Sequence, residues 1–217
     1  MEDCYLWVVA DGMGGHHGGE VASQLAVESM LRHFERDPSV SKEMLDAHFL
    51  FANERIMDLQ NENAQFQNMQ TTIVAALTNG GQTIIGHLGD SRCYLFRNGR
   101  IDLRTRDHSI VQMMVKHGEI TEKEMRTHED RNKVLKSLGK DRELKPSYLM
   151  VDSPLQTGDA LLLCTDGFWE YVMEGEMEVD YYKSHSPEEW LAKMEKRLLG
   201  RAKNNHDNYT AMAVFVL

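Results

Sequence analysis

Asn79-Gly80-Gly81 and Asn98-Gly99 each fall between apolar runs, and these two breaks constrain the fold more than any other stretch of the chain. Asparagine and glycine accept the positive φ that tight turns between neighbouring strands demand. The flanking runs, 71–78, 83–88 and 92–97, are rich in β-branched and aromatic residues. Strands joined this way lie antiparallel, which excludes a doubly wound parallel sheet. Further strands are expected at 5–10, 148–151, 161–164 and 209–217. Helical spacing of Val27, Met30, Leu31 and Phe34 predicts a helix from Gly18 to Arg36. Leu45, Phe49, Ala52, Ile56 and Leu59 form one stripe of a second helix, Ser41 to Asn61. Ser186-Pro187-Glu188-Glu189 opens a third, with a cap, a proline in the first turn and a capping-box glutamate. Between 107 and 145 the chain is charged and carries only short helical patterns, at 110–116 and 121–126. The expected class is α+β in layers. With 217 residues, 41% of them hydrophobic, only four prolines and no linker or repeat, one domain spanning 1–217 is expected.

Two of the apolar runs deliver a carboxylate to a glycine turn: Leu6–Ala10 into Asp11-Gly12, and Ala160–Thr165 into Asp166-Gly167. Asp90 closes His87-Leu88-Gly89-Asp90, and Asp207 opens Asp207-Asn208-Tyr209-Thr210. Any one Asp-Gly is first of all a turn, because Asp accepts backbone hydrogen bonds and Gly supplies positive φ. The positions change that balance. An unpaired carboxylate at the end of an uncharged run is costly near a core, and a shared divalent cation, which prefers oxygen ligands, resolves the cost for several at once. The chemistry that follows is metal-dependent hydrolysis, in which two ions lower the pKa of a shared water and offset charge on a phosphoryl oxygen. The formal charge of −10 argues against nucleic acid and anionic membrane surfaces as partners. Cys4, Cys93 and Cys164 are too few and too scattered for a disulfide framework or a zinc site, which fits a reducing compartment. No stretch spans a bilayer and no basic leader opens the chain, so a cytoplasmic protein is expected.

Taken in order, the segments 8–23 (VVADGMGGHHGGEVAS), 69–77 (MQTTIVAAL), 86–101 (GHLGDSRCYLFRNGRI), 106–121, 131–139, 158–172 (GDALLLCTDGFWEYV) and 207–216 (DNYTAMAVFV) resemble the PPM-type metal-dependent serine/threonine protein phosphatases, the type 2C family, in their bacterial form. The resemblance implies two stacked antiparallel sheets flanked by helices, an α-β-β-α sandwich, with a binuclear Mn²⁺ or Mg²⁺ site at one edge. It implies that Asp11 bridges both ions, that the Gly12 carbonyl binds one, and that Asp166 and Asp207 complete the protein ligands. Asp90 matches an aspartate that helps hold a third, weaker ion. The stretch 107–136 matches the family's flap, which lies beside the site and influences substrate access. The implied substrates are phosphorylated proteins carrying phosphoserine or phosphothreonine, with a serine/threonine kinase as the opposing enzyme.

The resemblance also sets departures. Family members place a strand, an acidic pair and a phosphate-contacting arginine ahead of the first Asp-Gly turn, which this chain reaches at residue 11. Glu2-Asp3 imitates the acidic pair, but strand residues at ~3.3 Å each leave Asp3 roughly 26 Å from Asp11. A domain short at its N-terminus is therefore expected, with a strand edge open to dimerisation. Met13 stands where many eukaryotic members have an acid histidine, and bacterial members commonly have Met. His16 is a candidate acid three residues past the turn; a structural or solvent-facing histidine is the competing reading. Gln70 replaces a glycine usual in its motif. Arg92 and Arg97 suit ordinary ion pairs better than phosphate steering, and Trp169 and Trp190 read as packing anchors.

Rival chemistries fare poorly. A Cys-x5-Arg phosphatase needs arginine six positions after a cysteine, where this chain has Ala10, Gly99 and Glu170. A G-x-G-x-x-G nucleotide loop fails because position 17 is histidine. The alternative kept open is a weakly active or inactive phosphatase-like regulatory module, which retention of all four carboxylates argues against.

Overall fold

The computed structural model describes residues 4–14, 17–202 and 206–217. In chain order the elements are β1 (Tyr5–Val9), β2 (Gly12–Met13), α1 (Gly18–Arg36), α2 (Lys42–Glu62), a 3-10 turn (Ala64–Phe66), β3 (Gln70–Thr71), β4 (Ile73–Thr78), β5 (Thr83–Leu88), β6 (Arg92–Arg97), β7 (Arg100–Arg104), α3 (Ile110–His117), α4 (Glu122–Met125), β8 (Ser147–Val151), β9 (Ala160–Cys164), α5 (Asp166–Trp169), α6 (Glu174–Tyr182), α7 (Pro187–Arg201) and β10 (Ala211–Phe215). One sheet has the order β1-β4-β5-β8 and the other β10-β9-β6-β7, and every named pair is antiparallel. The expected α+β sandwich of two antiparallel sheets with flanking helices is the observed fold.

Side-chain alternation sorts the strands' residues into three layers of core. Val74 and Ala76 of β4, Ile85 of β5, Cys93 and Leu95 of β6, and Leu161 and Leu163 of β9 meet between the sheets. Ile73, Ala75 and Leu77 point the other way, against Ala26 and Met30 of α1 and Leu45, Phe49 and Ile56 of α2. Tyr94, Phe96, Leu162 and Cys164 face outward from the second sheet onto Trp190, Met194 and Leu198 of α7. Strands buried on both faces must be apolar throughout, which is why β4 and β9 read as uninterrupted runs.

The turns behave as their chemistry dictates. Asn98 and Gly99 both have positive φ, 51° and 77°, as a two-residue type I′ hairpin between β6 and β7 requires. Asn79 Oδ1 accepts from the amides of Gly81 and Gln82, closing the turn between β4 and β5. Several elements were not expected from sequence: the short β2 and α5, β7, whose five residues RIDLR alternate charged and apolar side chains, and α6 (EGEMEVDYY), which is acidic and carries a glycine. Salt bridges hold α6 in place: Arg197 to Asp180 and Glu176, Arg201 to Glu176, and Arg126 to Glu174. The terminal strand is shorter than expected, Ala211–Phe215 instead of 209–217. Among the described residues no helix is long and apolar enough to cross a membrane.

Candidate active site

Asp11 leaves β1, in one sheet, and Asp166 leaves β9, in the other; the two carboxyl groups come close enough to act on one another. Close backbone packing brings them there. A Cβ on Gly12 would stand 1.9 Å from the carbonyl oxygen of Gly19, so only glycine lets the first turn of α1 press onto the Asp11-Gly12 corner. A Cβ on Gly167 would stand 2.1 Å from the carbonyl oxygen of Asn208, so the second Asp-Gly turn abuts the segment that carries Asp207.

Asp11 is held by its peptide group. Its amide donates to Thr72 Oγ1 at 3.2 Å, while its carbonyl accepts from Thr71 Oγ1 and from the Thr72 amide, both at 2.8 Å. The Thr72 and Ser91 hydroxyls are 2.7 Å apart, which ties the Asp11 corner to the segment just after Asp90. Sequence reading gave Thr71 and Thr72 no role; the only signal was a pair of hydroxyls at the mouth of an apolar strand. Asp90 is buried, and its carbonyl accepts from Trp169 Nε1 at 2.9 Å. Arg92, 2% exposed, lies over the Trp169 ring at 3.4 Å and makes two 2.8 Å bonds to the buried carboxylate of Asp107. Trp169 is thus more than a packing anchor. The ion-pair reading of Arg92 describes its bonds to Asp107, and Arg97 likewise pairs with Asp159 at 3.2 Å.

The electrostatics show one cluster of acids. Burial first, then Asp166 and Asp207, push the Asp11 carboxyl up to about 8. Burial also raises Asp166, and it lifts Asp90 well above the carboxylate range, with Asp166, Asp107 and Asp11 adding to the effect. Glu170, one turn beyond Asp166, is pushed to about 7 by burial and by Asp166, against the opposing pull of Arg131 at 3.2 Å. Sequence reading did not single out Glu170 or Asp107. Asp207 is exposed at the rim, its Oδ1 accepting from the Asn208 amide at 2.8 Å. Among the described residues, no group of three or more histidine, cysteine, aspartate or glutamate side chains is arranged as a coordination shell. Asp11 and Asp166 are therefore in contact, and Asp90 and Asp207 stand within electrostatic reach of them. The donor set still fits a hard divalent cation, since oxygen ligands that raise one another's pKa lose that mutual penalty around a positive charge. His16, the candidate acid, and Glu2-Asp3 lie outside the described residues.

The stretch 107–136 is fastened beside this cluster. Ser109 bridges Val134, and Leu138, just past its end, bridges Thr71. Gln70 Oε1 accepts from Ser137 Oγ at 2.8 Å, so the residue that replaces a glycine binds the exit of the excursion to β3.

A family profile described as protein phosphatase 2C matches residues 2–207. The serine/threonine phosphatase stp of Listeria welshimeri is 36% identical over 187 residues, an alignment covering 82% of this chain and 71% of that protein. The serine/threonine protein phosphatase PstP of Mycobacterium tuberculosis is 36% identical over 172 residues, covering 78% of this chain and 32% of that one. Among solved structures, the serine/threonine phosphatase Stp1 from Staphylococcus aureus matches with a TM-score of 0.86 at 30% identity, over 98% of this chain and 83% of that one. The catalytic domain of PstP, solved in complex with 2 manganese ions, matches with a TM-score of 0.80 at 30% identity, over 97% of this chain and 89% of that one.

Proposed function

The chain belongs to the protein phosphatase 2C family, and on that premise we propose that it is a serine/threonine protein phosphatase that removes phosphate from phosphoserine and phosphothreonine in proteins with the help of divalent cations held by Asp11, the Gly12 carbonyl, Asp166 and Asp207. Asp90 is assigned to a third, weaker ion, and Mn²⁺ or Mg²⁺ suits a set made only of oxygen donors. The observation that carries the reading is the meeting of Asp11 and Asp166, from opposite sheets, as a half-buried carboxyl pair in which Asp166 raises the pKa of Asp11. When bound, the cations lower the pKa of water and offset charge on the phosphoryl oxygens.

The chain's own groups supply the positioning. Thr71 and Thr72 fix the Asp11 backbone and so the direction in which its carboxylate projects. Trp169, under Arg92, fixes the backbone of Asp90. His16 is assigned to proton delivery to the departing serine or threonine oxygen. The substrate must be supplied by a reaction that esterifies a protein hydroxyl with phosphate, so a serine/threonine kinase stands upstream. Buried free Cys93 and Cys164 suit the cytoplasm, where thiols stay reduced.

The test is hydrolysis of p-nitrophenyl phosphate and of a phosphothreonine peptide with Mn²⁺, before and after chelation. Turnover should vanish with chelator and in Asp11→Asn and Asp166→Asn. Activity that survives chelation and both substitutions overturns the proposal.

A further inference from the structure

Away from the carboxylates, β7 and β8 are the outer strands of their respective sheets. A cleft of about 660 Å³ opens between them, with α3 as its third wall. Two features mark this cleft as built to receive something.

The first is unmet hydrogen-bonding capacity. His87, 2% exposed, donates from Nε2 to the Arg106 carbonyl at 2.8 Å, and burial holds the ring neutral by pulling its pKa down. Its Nδ1 is then a lone pair, buried and without a partner. The Ser147 carbonyl stands near it but can only accept. Gln112 Oε1, on α3, is also buried without a partner. Both residues line the cleft, and both atoms lie sealed just beneath its surface, so they mark unmet polarity in its wall and not points of contact for a ligand.

The second is charge. The chain as a whole carries −10, yet Arg104, Arg106 and Lys116 line the cleft, and the charge of Lys136 is felt at both His87 and His108. Of the acids there, Asp107 is bound to Arg92 and Glu122 to Arg104. Arg106 and Lys116 are exposed and have no ion pair among the described residues. Between these cations lie Val115, Leu149 and Met113, the last 49% exposed.

We propose that the cleft between β7, β8 and α3 is a docking site for an extended acidic peptide segment of a partner protein. An extended chain presents N–H and carbonyl groups to the outer strands, places alternate side chains on the apolar floor, and sets carboxylates against the unpaired cations. The proposal is distinct from the hydrolytic reading, because it concerns an unphosphorylated segment bound beside the acid cluster and not in it, on the α3 face of the stretch 107–136.

The test uses the full chain and two fluorescent peptides of about ten residues, one alternating Glu and Leu and the other Gln and Leu, followed by anisotropy. The acidic peptide should bind, and affinity should fall roughly tenfold or more for the Gln peptide, for R106E/K116E and for M113D. Equal binding of both peptides, wild-type affinity in R106E/K116E with an unchanged circular dichroism spectrum, or no binding up to about 1 mM would each overturn it. Should the double variant fail to fold, K116E alone and the Gln peptide decide the matter. Loss of phosphatase activity in Asp11→Asn leaves peptide binding intact, so failure of one reading is distinguishable from failure of the other.

Discussion

At the scale of single residues, the consequences concentrate where a buried polar group has one partner. Arg92→Met removes the partner of Asp107 and leaves a carboxylate sealed in the interior, which costs about 3–5 kcal/mol. Urea unfolding should show that loss, and Arg92→Met combined with Asp107→Leu should recover much of it. A double variant as unstable as the single one would show that the pair is not what matters. Thr72→Val strands the Asp11 amide and the Ser91 hydroxyl, at about 1–3 kcal/mol. On the proposed reading, the Mn²⁺ concentration needed for half-maximal activity should also rise, since Asp11 loses its aim. His48 gives a pH dependence. Fully buried against His33 at 2.7 Å, it has its pKa pulled down to about 4, by burial first and then by His33. A histidine depressed in the fold takes up its proton more readily when unfolded, so stability is complete above about 6.5 and drains away as pH falls toward 4, by up to about 3 kcal/mol. His48→Phe should flatten the urea midpoint across that window; an unchanged slope would exonerate the pair.

Among elements, what could be read in advance was whatever rests on local pattern. The helical stripes of α1, α2 and α7, the cap at Ser186 and the apolar runs of β4, β5, β6 and β9 all stand where the residues predict them, because each is decided by neighbours in sequence. α6 was not legible, because its anchors are Arg92, Arg126, Arg197 and Arg201, up to 82 positions away, reaching Glu174, Glu176 and Asp180. β7 was easily passed over for a different reason: its strict alternation of charged residues with Ile101 and Leu103 lasts only five residues, and its clearest signal is the turn before it. That turn makes a clean prediction. Gly99 has φ 77°, and a methyl group placed there would have only Tyr182 Cδ2 nearby, at 3.9 Å. Gly99→Ala therefore meets no clash and should cost about 1–2 kcal/mol through the backbone alone. A thermal midpoint unmoved by the change would mean that the β6–β7 hairpin is free to adopt another turn.

For the molecule as a whole, the apolar runs and their turns were enough to anticipate antiparallel layers and the Asp-Gly turns to suggest a gathering of acids, while the two stacked sheets came from the family resemblance; the depth at which the acids sit and what holds them were not legible. Thr71, Thr72, Trp169 and Asp107 act through hydrogen bonds to residues 15 to 79 positions away, which no spacing rule reveals. β1 is the outer strand of its sheet, with Tyr5 half exposed and stacked on Trp7 at 5.8 Å. Such an edge invites pairing with a second copy, so light scattering should give a mass that rises with concentration and a lysine at Tyr5 should suppress the rise. A mass of one chain at every dilution would count against it. The layer shared by the sheets has a different consequence. One acid of the central pair hangs from each sheet, so the slab of Val74, Ile85, Leu161 and Leu163 acts as a spacer whose thickness sets their separation. If these acids hold Mn²⁺ as proposed, shaving that spacer, as in Leu163→Ala, should loosen the grip on the cation at temperatures where the protein is still folded, making cation affinity a gauge of how firmly the two halves are pressed together.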